Sequence, residues 1–328
     1  MKNVFVTGGT GLVGAHVVEE VLREKPDAKV VTLARSVDPR GYFCGQGLDK
    51  RVLFYSGDIR DEHTVRDIIY NEEIDTVFHL AAQPLVTVAL ANPRDTWTTN
   101  INGTLNVLEA CRGNSRIESI VVASSDKAYG QAKFLPYTED HPLHGLHPYD
   151  ASKSCEDLMA QTYAACYGMP IVVSRFGNIF GPGDLNFNRL IPGIMHALAT
   201  GKSLQIRSNG KQTRDFVYVK DVARGYLLLN RNATAHSGHA FNLTSGINRS
   251  AVAMIEEVGR VLGMPVPHEI LDEVKHEIPE QALSDEKIRS ALGWNSTIGL
   301  DQAIRDTWAW YERYFRAKGP SDVCCRNR

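Results

Sequence analysis

Short apolar runs alternate with stretches of helical period through the first half of the chain. Residues 4–6 form an apolar strand, and after a glycine-rich turn Val13, Val17, Val18, Val21 and Leu22 recur on one stripe. Glu19, Glu20, Arg23 and Glu24 fall outside that stripe, which is the 3.6-residue signature of an amphipathic helix. Further strands are predicted over 29–33, 52–55, 76–80, 119–123 and 171–174, with helices over 100–111 and 152–163. Such alternation specifies an α/β fold, a doubly wound parallel sheet with ligands at the carboxyl ends of its strands. From Asp184 the pattern breaks. A helix is expected over 190–199, then short strands over 203–207 and 213–219 around the turn pair Asn209-Gly210. A helix over 221–229 leads to a strand over 240–243 that returns to the sheet, followed by helices over 250–262, 284–292 and 300–314. No internal repeat or low-complexity linker intervenes, so the second region is expected to pack tightly on the first.

A chain of 328 residues can bury a sizeable core, and its net charge of −2 is spread over interspersed acidic and basic residues. That balance gives no electrostatic footprint for nucleic acid or an anionic membrane, so any anionic ligand must be held by local features. The six cysteines, Cys44, Cys111, Cys155, Cys166, Cys324 and Cys325, lack CxxC or histidine-interleaved spacing, which argues against a metal site and a disulfide framework. The adjacent Cys324-Cys325 lies in a polar tail and is read as incidental. The chain enters its first strand without a basic-then-apolar leader, and no apolar run approaches ~20 residues. The expectation is a cytoplasmic protein.

Five local features carry candidate chemistry. Gly8, Gly11 and Gly14, with Leu12 and Val13 between them, fall in a strand–turn–helix with GxxGxxG spacing. Such a turn needs open backbone angles, close approach to a pyrophosphate and free N–H groups at the helix start, and so points to a dinucleotide. The second strand ends in Ala34-Arg35-Ser36, where Arg35 suits a 2′-phosphate and leans the reading from NAD toward NADP, although Asp38 follows closely. Asp58 and Ile59 after the third strand lie where an adenine is read, and Leu80, Ala81 and Ala82 after the fourth let a cofactor lie against the strand end. His79, inside that strand, reads as structural. The last feature is Tyr149 with Lys153, four residues apart and one helical turn from each other. An ammonium near a phenol favours the phenolate and lowers its pKa from ~10, which makes the tyrosine a base for a hydroxyl proton.

Taken in order, TGGTGLVG, GDIRD, HLAAQ, NINGT, SSDKAYG, YDASK and RFGNIFGPGD resemble the extended short-chain dehydrogenase/reductase family over nearly the whole chain. HLAAQPLV, SSDKAYG and GNIFGPGDLNFNRLIPGI are most similar to the sugar-nucleotide 4,6-dehydratases, and to the CDP-glucose 4,6-dehydratase type among them. The resemblance implies a Rossmann domain over residues 1–175, with returning segments at about 215–245, and a smaller lobe, mainly 176–328, that binds the nucleotide sugar. It adds Asn100 and Ser124 to the cofactor contacts, and Gln83, Asn178, Arg189, Arg207, Arg214 and Gln281 as substrate contacts. It also implies a homodimer formed through a four-helix bundle built from the helices near 99–111 and 152–167.

The implied chemistry removes the sugar O4 proton as hydride passes from C4 to the nicotinamide, eliminates water across C5–C6, and returns the hydride to C6. Elimination needs an acid and a base beyond the Tyr149–Lys153 pair. Ser125 is assigned to the 4-oxygen, Asp126 to the leaving C6 hydroxyl and Lys127 to C5. Many family members carry Thr-Asp-Glu where this chain has Ser125-Asp126-Lys127. A lysine takes a carbon-bound proton only when neutral; a charged Lys127 would instead stabilise the enolate and leave another group as base. Two alternatives stay open. One is a 4-epimerase or 4-reductase on the same fold, and the other is a cofactor-binding regulatory protein without catalysis.

Overall fold

A computed structural model describes residues 1–273 and 278–318; Cys324 and Cys325 lie outside the described residues. The strands are β1 (Asn3–Thr7), β2 (Lys29–Ala34), β3 (Leu53–Ser56), β4 (Thr76–His79), β5 (Ser119–Ala123), β6 (Ile171–Phe176), β7 (Asn178–Phe180), β8 (Leu204–Ile206), β9 (Thr213–Tyr218), β10 (Ala240–Leu243), β11 (Ile247–Ser250) and β12 (His268–Ile270). Seven of them form one parallel sheet in the order β10-β6-β5-β4-β1-β2-β3. Each of the seven was expected from its apolar run, including the returning β10. The order reverses between β1 and β4, which opens a crevice at their carboxyl ends.

The side-chain period of two splits each strand between two cores. Val4 and Val6 of β1 enter one with Val30, Phe78, Val121 and Val172, while Phe5 enters the other with Val31, Val77, Ile120 and Val173. Helices Leu12–Glu24 and Val219–Arg231 cover the first face. Helices Glu62–Asn71, Gly103–Arg112 and Pro148–Tyr167 cover the second through residues such as Ile69, Leu108 and Ala160. Burial on both faces explains why these strands read as nearly unbroken apolar runs.

Beyond β6 the expected strands and helices are present within a few residues of their expected bounds, and β7, β11 and β12, which the sequence did not announce, join them. Strands β8 and β9 do not pair across Asn209-Gly210: β8 joins β12, and β9 lies between β7 and β11. The buried Asp215 of β9 anchors this region, accepting hydrogen bonds from Thr244 Oγ1, Asn248 Nδ2 and the Leu283 backbone N–H. The helix expected over 152–163 begins instead at Pro148, a residue suited to a first helical turn, and runs to Tyr167 before Gly168 ends it in the left-handed region. The helix expected over 100–111 starts at Gly103 and follows a π-helical turn at Thr98–Asn102. Among the described residues no helix is long and apolar enough to cross a membrane.

Candidate active site

The glycine turn is built by steric exclusion. Gly8 ends β1 at φ +69°, and a Cβ there would stand 3.0 Å from Ala81 Cα. A Cβ on Gly14 would meet the Gly8 carbonyl oxygen at 2.2 Å, so the helix packs against the turn only because position 14 lacks one. Gly11 caps that helix in an extended conformation with no side-chain hydrogen bond, which leaves the first-turn N–H groups for a ligand.

A proton-ordered chain of hydrogen bonds braces the turn from behind. Thr7 Oγ1 accepts from the Leu80 and Ala81 N–H groups at 3.0 and 3.1 Å and donates to His79 Nδ1 at 2.9 Å. His79 Nε2–H then donates to Thr104 Oγ1 at 2.8 Å, whose hydroxyl donates to the Asn100 carbonyl at 2.6 Å. Burial, with Lys153 nearby, holds the imidazole pKa down to about 3, so His79 is neutral and structural, as its place in the strand implied.

The crevice is a cavity of about 1060 Å³. Gly8, Gly11, Leu12, Val13 and Gly14 line it from β1, Arg35 from the end of β2, and Asp58 and Ile59 from the end of β3. Leu80, Ala81 and Ala82 line it after β4, and Ser124, Ser125, Asp126 and Lys127 after β5. Tyr149 and Lys153 enter from the helix Pro148–Tyr167, and Asn178, Arg189, Arg207, Arg214 and Gln281 close the far side. Ser124 Oγ and Gln281 Nε2 are buried without a hydrogen-bond partner among the described residues. Free helix N–H groups, a turn packed too closely for a Cβ at Gly8 or Gly14, and orphaned polar atoms in the wall fit a dinucleotide with a polar co-ligand.

Two expected contacts are elsewhere. The Gln83 side chain is spent on its own loop, donating to Thr96 Oγ1 at 2.8 Å and accepting from the Leu85 N–H at 2.6 Å. Asn100 is fully buried, where its Oδ1 accepts from the Gln83 N–H at 2.7 Å and its Nδ2 donates to Ser152 Oγ at 2.8 Å. Neither lines the cavity; both hold the loop after β4 against the helix that carries Tyr149.

The expected depression of the Tyr149 pKa is corrected by the packing. Burial pushes the phenol above its usual value, and the opposing pull of Lys153 is only the second influence. Part of the reason lies in how Lys153 is held. Its Nζ donates to the Ala123 carbonyl at 2.9 Å and to Glu156 Oε2 at 2.7 Å, with both Lys153 and Glu156 buried. Burial opposes the ammonium, but Glu156 and Tyr149 outweigh it and raise its pKa. The sequence reading passed over Glu156, whose signal was its place three residues after Lys153 on the same helical face.

At the end of β5, Asp126 accepts from Lys127 Nζ at 2.9 and 3.0 Å and from Ser125 Oγ at 3.1 Å. Asn178 Oδ1 stands 3.5 Å from the same ammonium. Arg189 Nη1 donates to Asp184 Oδ2 at 2.9 Å and Arg214 Nη1 to the Thr213 carbonyl at 2.8 Å, while Arg207 is exposed at the rim. Asp150 is a cavity-wall residue that the reading also missed. It is buried, and desolvation lifts its carboxyl to about 6 against the pull of Lys127.

Comparison with known proteins agrees with this architecture. A trifunctional UDP-glucose 4,6-dehydratase/UDP-4-keto-6-deoxy-D-glucose 3,5-epimerase/UDP-4-keto-L-rhamnose-reductase of Arabidopsis thaliana is 27% identical over 94% of this chain; the match spans 47% of that protein, so the chain covers about half the length of such relatives. A UDP-glucose 4-epimerase of Lactobacillus helveticus is also 27% identical, over 95% of this chain and 97% of its own. A dTDP-glucose 4,6-dehydratase of Streptomyces venezuelae, solved with NAD bound, superposes with a TM-score of 0.84 at 26% identity over 95% of this chain and 97% of that one. The model of the NAD dependent epimerase/dehydratase family matches residues 4–244, more than half of the chain. On that match, and on the crevice it spans, the chain belongs to the NAD dependent epimerase/dehydratase family.

Proposed function

We propose that the protein is a nucleotide-sugar 4,6-dehydratase that converts an NDP-hexose to an NDP-4-keto-6-deoxyhexose. The observation that supports this reading most is the Asp126–Lys127 pair, in contact with Ser125 and in one cavity with Tyr149 and Lys153. A nicotinamide dinucleotide held through its pyrophosphate by the Gly8–Gly14 turn would supply a hydride acceptor for C4 and a hydride donor for C6. Tyr149 takes the O4 proton, while Lys153 orients the site through the one ammonium N–H left after Ala123 and Glu156 are satisfied. Ser125 turns its hydroxyl to the 4-oxygen, and the new ketone acidifies C5–H.

The Asp126–Lys127 ion pair carries one mobile proton. With that proton on the carboxyl, Lys127 is a neutral amine able to take the C5 proton, and Asp126 is an acid able to give one to the departing C6 hydroxyl. Water leaves and the pair is left as a carboxylate and an ammonium. As hydride returns to C6, Lys127 gives its proton back to C5, and the O4 proton held on Tyr149 restores the Asp126 carboxyl through solvent, so the proton count balances. Asn178, Arg189, Arg207, Arg214 and Gln281 are assigned to the sugar diphosphate. Residues 1–175 hold the cofactor and the remainder mainly the sugar nucleotide, with NADP favoured by the exposed Arg35 at the end of β2. The exposed Trp97, Leu105, Leu158 and Tyr167, on the helices Pro93–Trp97, Gly103–Arg112 and Pro148–Tyr167, fit a homodimer formed through those helices.

The test is incubation with CDP-, dTDP-, GDP- and UDP-hexoses, followed by mass spectrometry and absorbance in alkali. Loss of one water from one substrate without added reductant supports the reading. An unchanged mass with inversion at C4 overturns it in favour of a 4-epimerase, the activity of the Lactobacillus relative.

A further inference from the structure

We propose that Glu156 is a positioning residue for Lys153 that sets how much of the lysine's positive field reaches the Tyr149 phenol. The inference rests on the reading of Tyr149 as the proton acceptor.

The geometry comes first. Lys153 has three N–H donors, and two are committed, one to the Ala123 carbonyl at the end of β5 and one to Glu156 Oε2 at 2.7 Å. The third is left for the cavity that Lys153 helps to line. The ammonium is therefore pinned from behind rather than swinging on a flexible stem. Glu156 has little else to do, since it is 1% exposed and its Oε1 has no hydrogen-bond partner among the described residues. A carboxylate buried with one oxygen unsatisfied is costly, and its one strong partner is the lysine.

The charge consequence follows from the same contact. An ionised Glu156 cancels much of the Lys153 field at the phenol; a protonated Glu156 leaves that field intact. Burial holds the Glu156 carboxyl up to about 7 despite Lys153, so both forms are populated near neutrality. The other groups facing this cluster are few. Asp157, next on the helix, is locked to Arg175 of β6, and His79 of β4 is neutral. Tyr226 of the helix Val219–Arg231 is bonded to Ser174, and Asp126 and Arg189 face Tyr149 from the cavity side.

The experiment follows the tyrosinate absorbance of Tyr149 against pH in NAD-loaded protein, with the Tyr149→Phe trace subtracted, and needs no sugar. Glu156→Gln keeps an oxygen for Lys153 but removes the charge, and Glu156→Met removes both; either variant that folds is sufficient. The midpoint is expected to fall by ~1 pH unit in Glu156→Gln, which is a roughly tenfold larger phenolate fraction at any pH below it. An unchanged midpoint with normal cofactor affinity overturns the proposal and leaves Glu156 a packing residue. In the unsubstituted protein, carboxyl NMR is expected to show a glutamate titrating near neutrality, and its absence also overturns the proposal. A protein that proves to be no dehydratase refutes the proposed function and leaves this inference standing, and an active dehydratase with an unmoved midpoint refutes only this inference.

Discussion

Lys127 Nζ stands 2.9 and 3.0 Å from the two carboxylate oxygens of Asp126, its neighbour in sequence, and both groups face the cavity. In that pairing the ammonium has no lone pair for a carbon-bound proton, so the two residues can act on C5 and C6 only together. Lys127→Met and Asp126→Asn are each expected to lower dehydration by ~10²–10⁴, the usual worth of a positioned acid or base. The double variant should lose little more than either single one, because residues acting as a unit are not additive. Single-turnover assays are expected to show reduced cofactor accumulating with the 4-keto-hexose in both single variants. Additive losses in the double variant would refute a shared proton.

Arg35 is exposed at the end of β2 and lines the cavity, and its charge reaches Asp58 at the end of β3. Arg35→Asp is expected to lower NADP affinity by at least tenfold while leaving NAD affinity the same or higher. Tryptophan-fluorescence titration with each cofactor measures the ratio. Equal losses for both would take Arg35 out of the choice between them.

Acid sensitivity has an identifiable source in His16. Its ring is 1% exposed, stacked on Tyr42 at 4.0 Å between centroids, with Nδ1–H donating to the Leu12 carbonyl and Nε2 without a partner among the described residues. Burial holds its pKa down to about 4, against ~6.5 in an unfolded chain. Between those values the unfolded state binds more protons, so this contribution is complete above pH ~6.5 and is lost as pH falls through about 4. His16→Phe keeps the stack and removes the titration. The drop in unfolding free energy from pH 7 to pH 5 is expected to shrink by ~2 kcal/mol, measured in urea at both values. Other titrating groups cancel in that comparison, so an identical drop in both proteins would rule His16 out.

What the sequence disclosed and what it hid follow from the range of the interactions involved. The seven sheet strands were legible because both faces are buried, and Val4, Phe5 and Val6 carry that fact locally. The cavity loops were legible because a parallel sheet gathers its carboxyl ends. Asn100 was misplaced because its amide is held by the backbone of Gln83, 17 residues away, and Gln83 because its own amide is held by Thr96 and Leu85. The Tyr149 pKa was misjudged for a similar reason: spacing reveals the neighbouring Lys153, but not the burial that outweighs it or the Glu156 that engages it. β8 and β9 flank a turn pair, yet their partners β12 and β11 lie far along the chain.

Glu156 and Asp157 are adjacent buried carboxylates with opposite expected behaviour. Asp157 forms a bidentate pair with Arg175, Nε to Oδ2 at 2.8 Å and Nη2 to Oδ1 at 2.9 Å. Arg175 Nη1 continues to the Tyr129 hydroxyl, which donates to Asn242 Oδ1, so one network ties the helix Pro148–Tyr167 to β6 and β10. Removing one partner strands a buried guanidinium, and Asp157→Asn is therefore expected to cost ~3–5 kcal/mol of folding stability. Below its lowered melting point the variant should shift the pH profile less than Glu156→Gln does, because Asp157 is paired with Arg175 and its charge reaches the phenol's neighbours Lys153 and Glu156 only from that pair. Glu156→Gln should do the reverse, moving the profile with a smaller loss of stability, since Glu156 already carries an oxygen unsatisfied among the described residues, whose desolvation opposes folding. Thermal unfolding and pH–rate profiles of the two variants side by side check this. A profile shift in Asp157→Asn as large as that in Glu156→Gln, or a larger destabilisation in Glu156→Gln, would mean that the two carboxylates share one network.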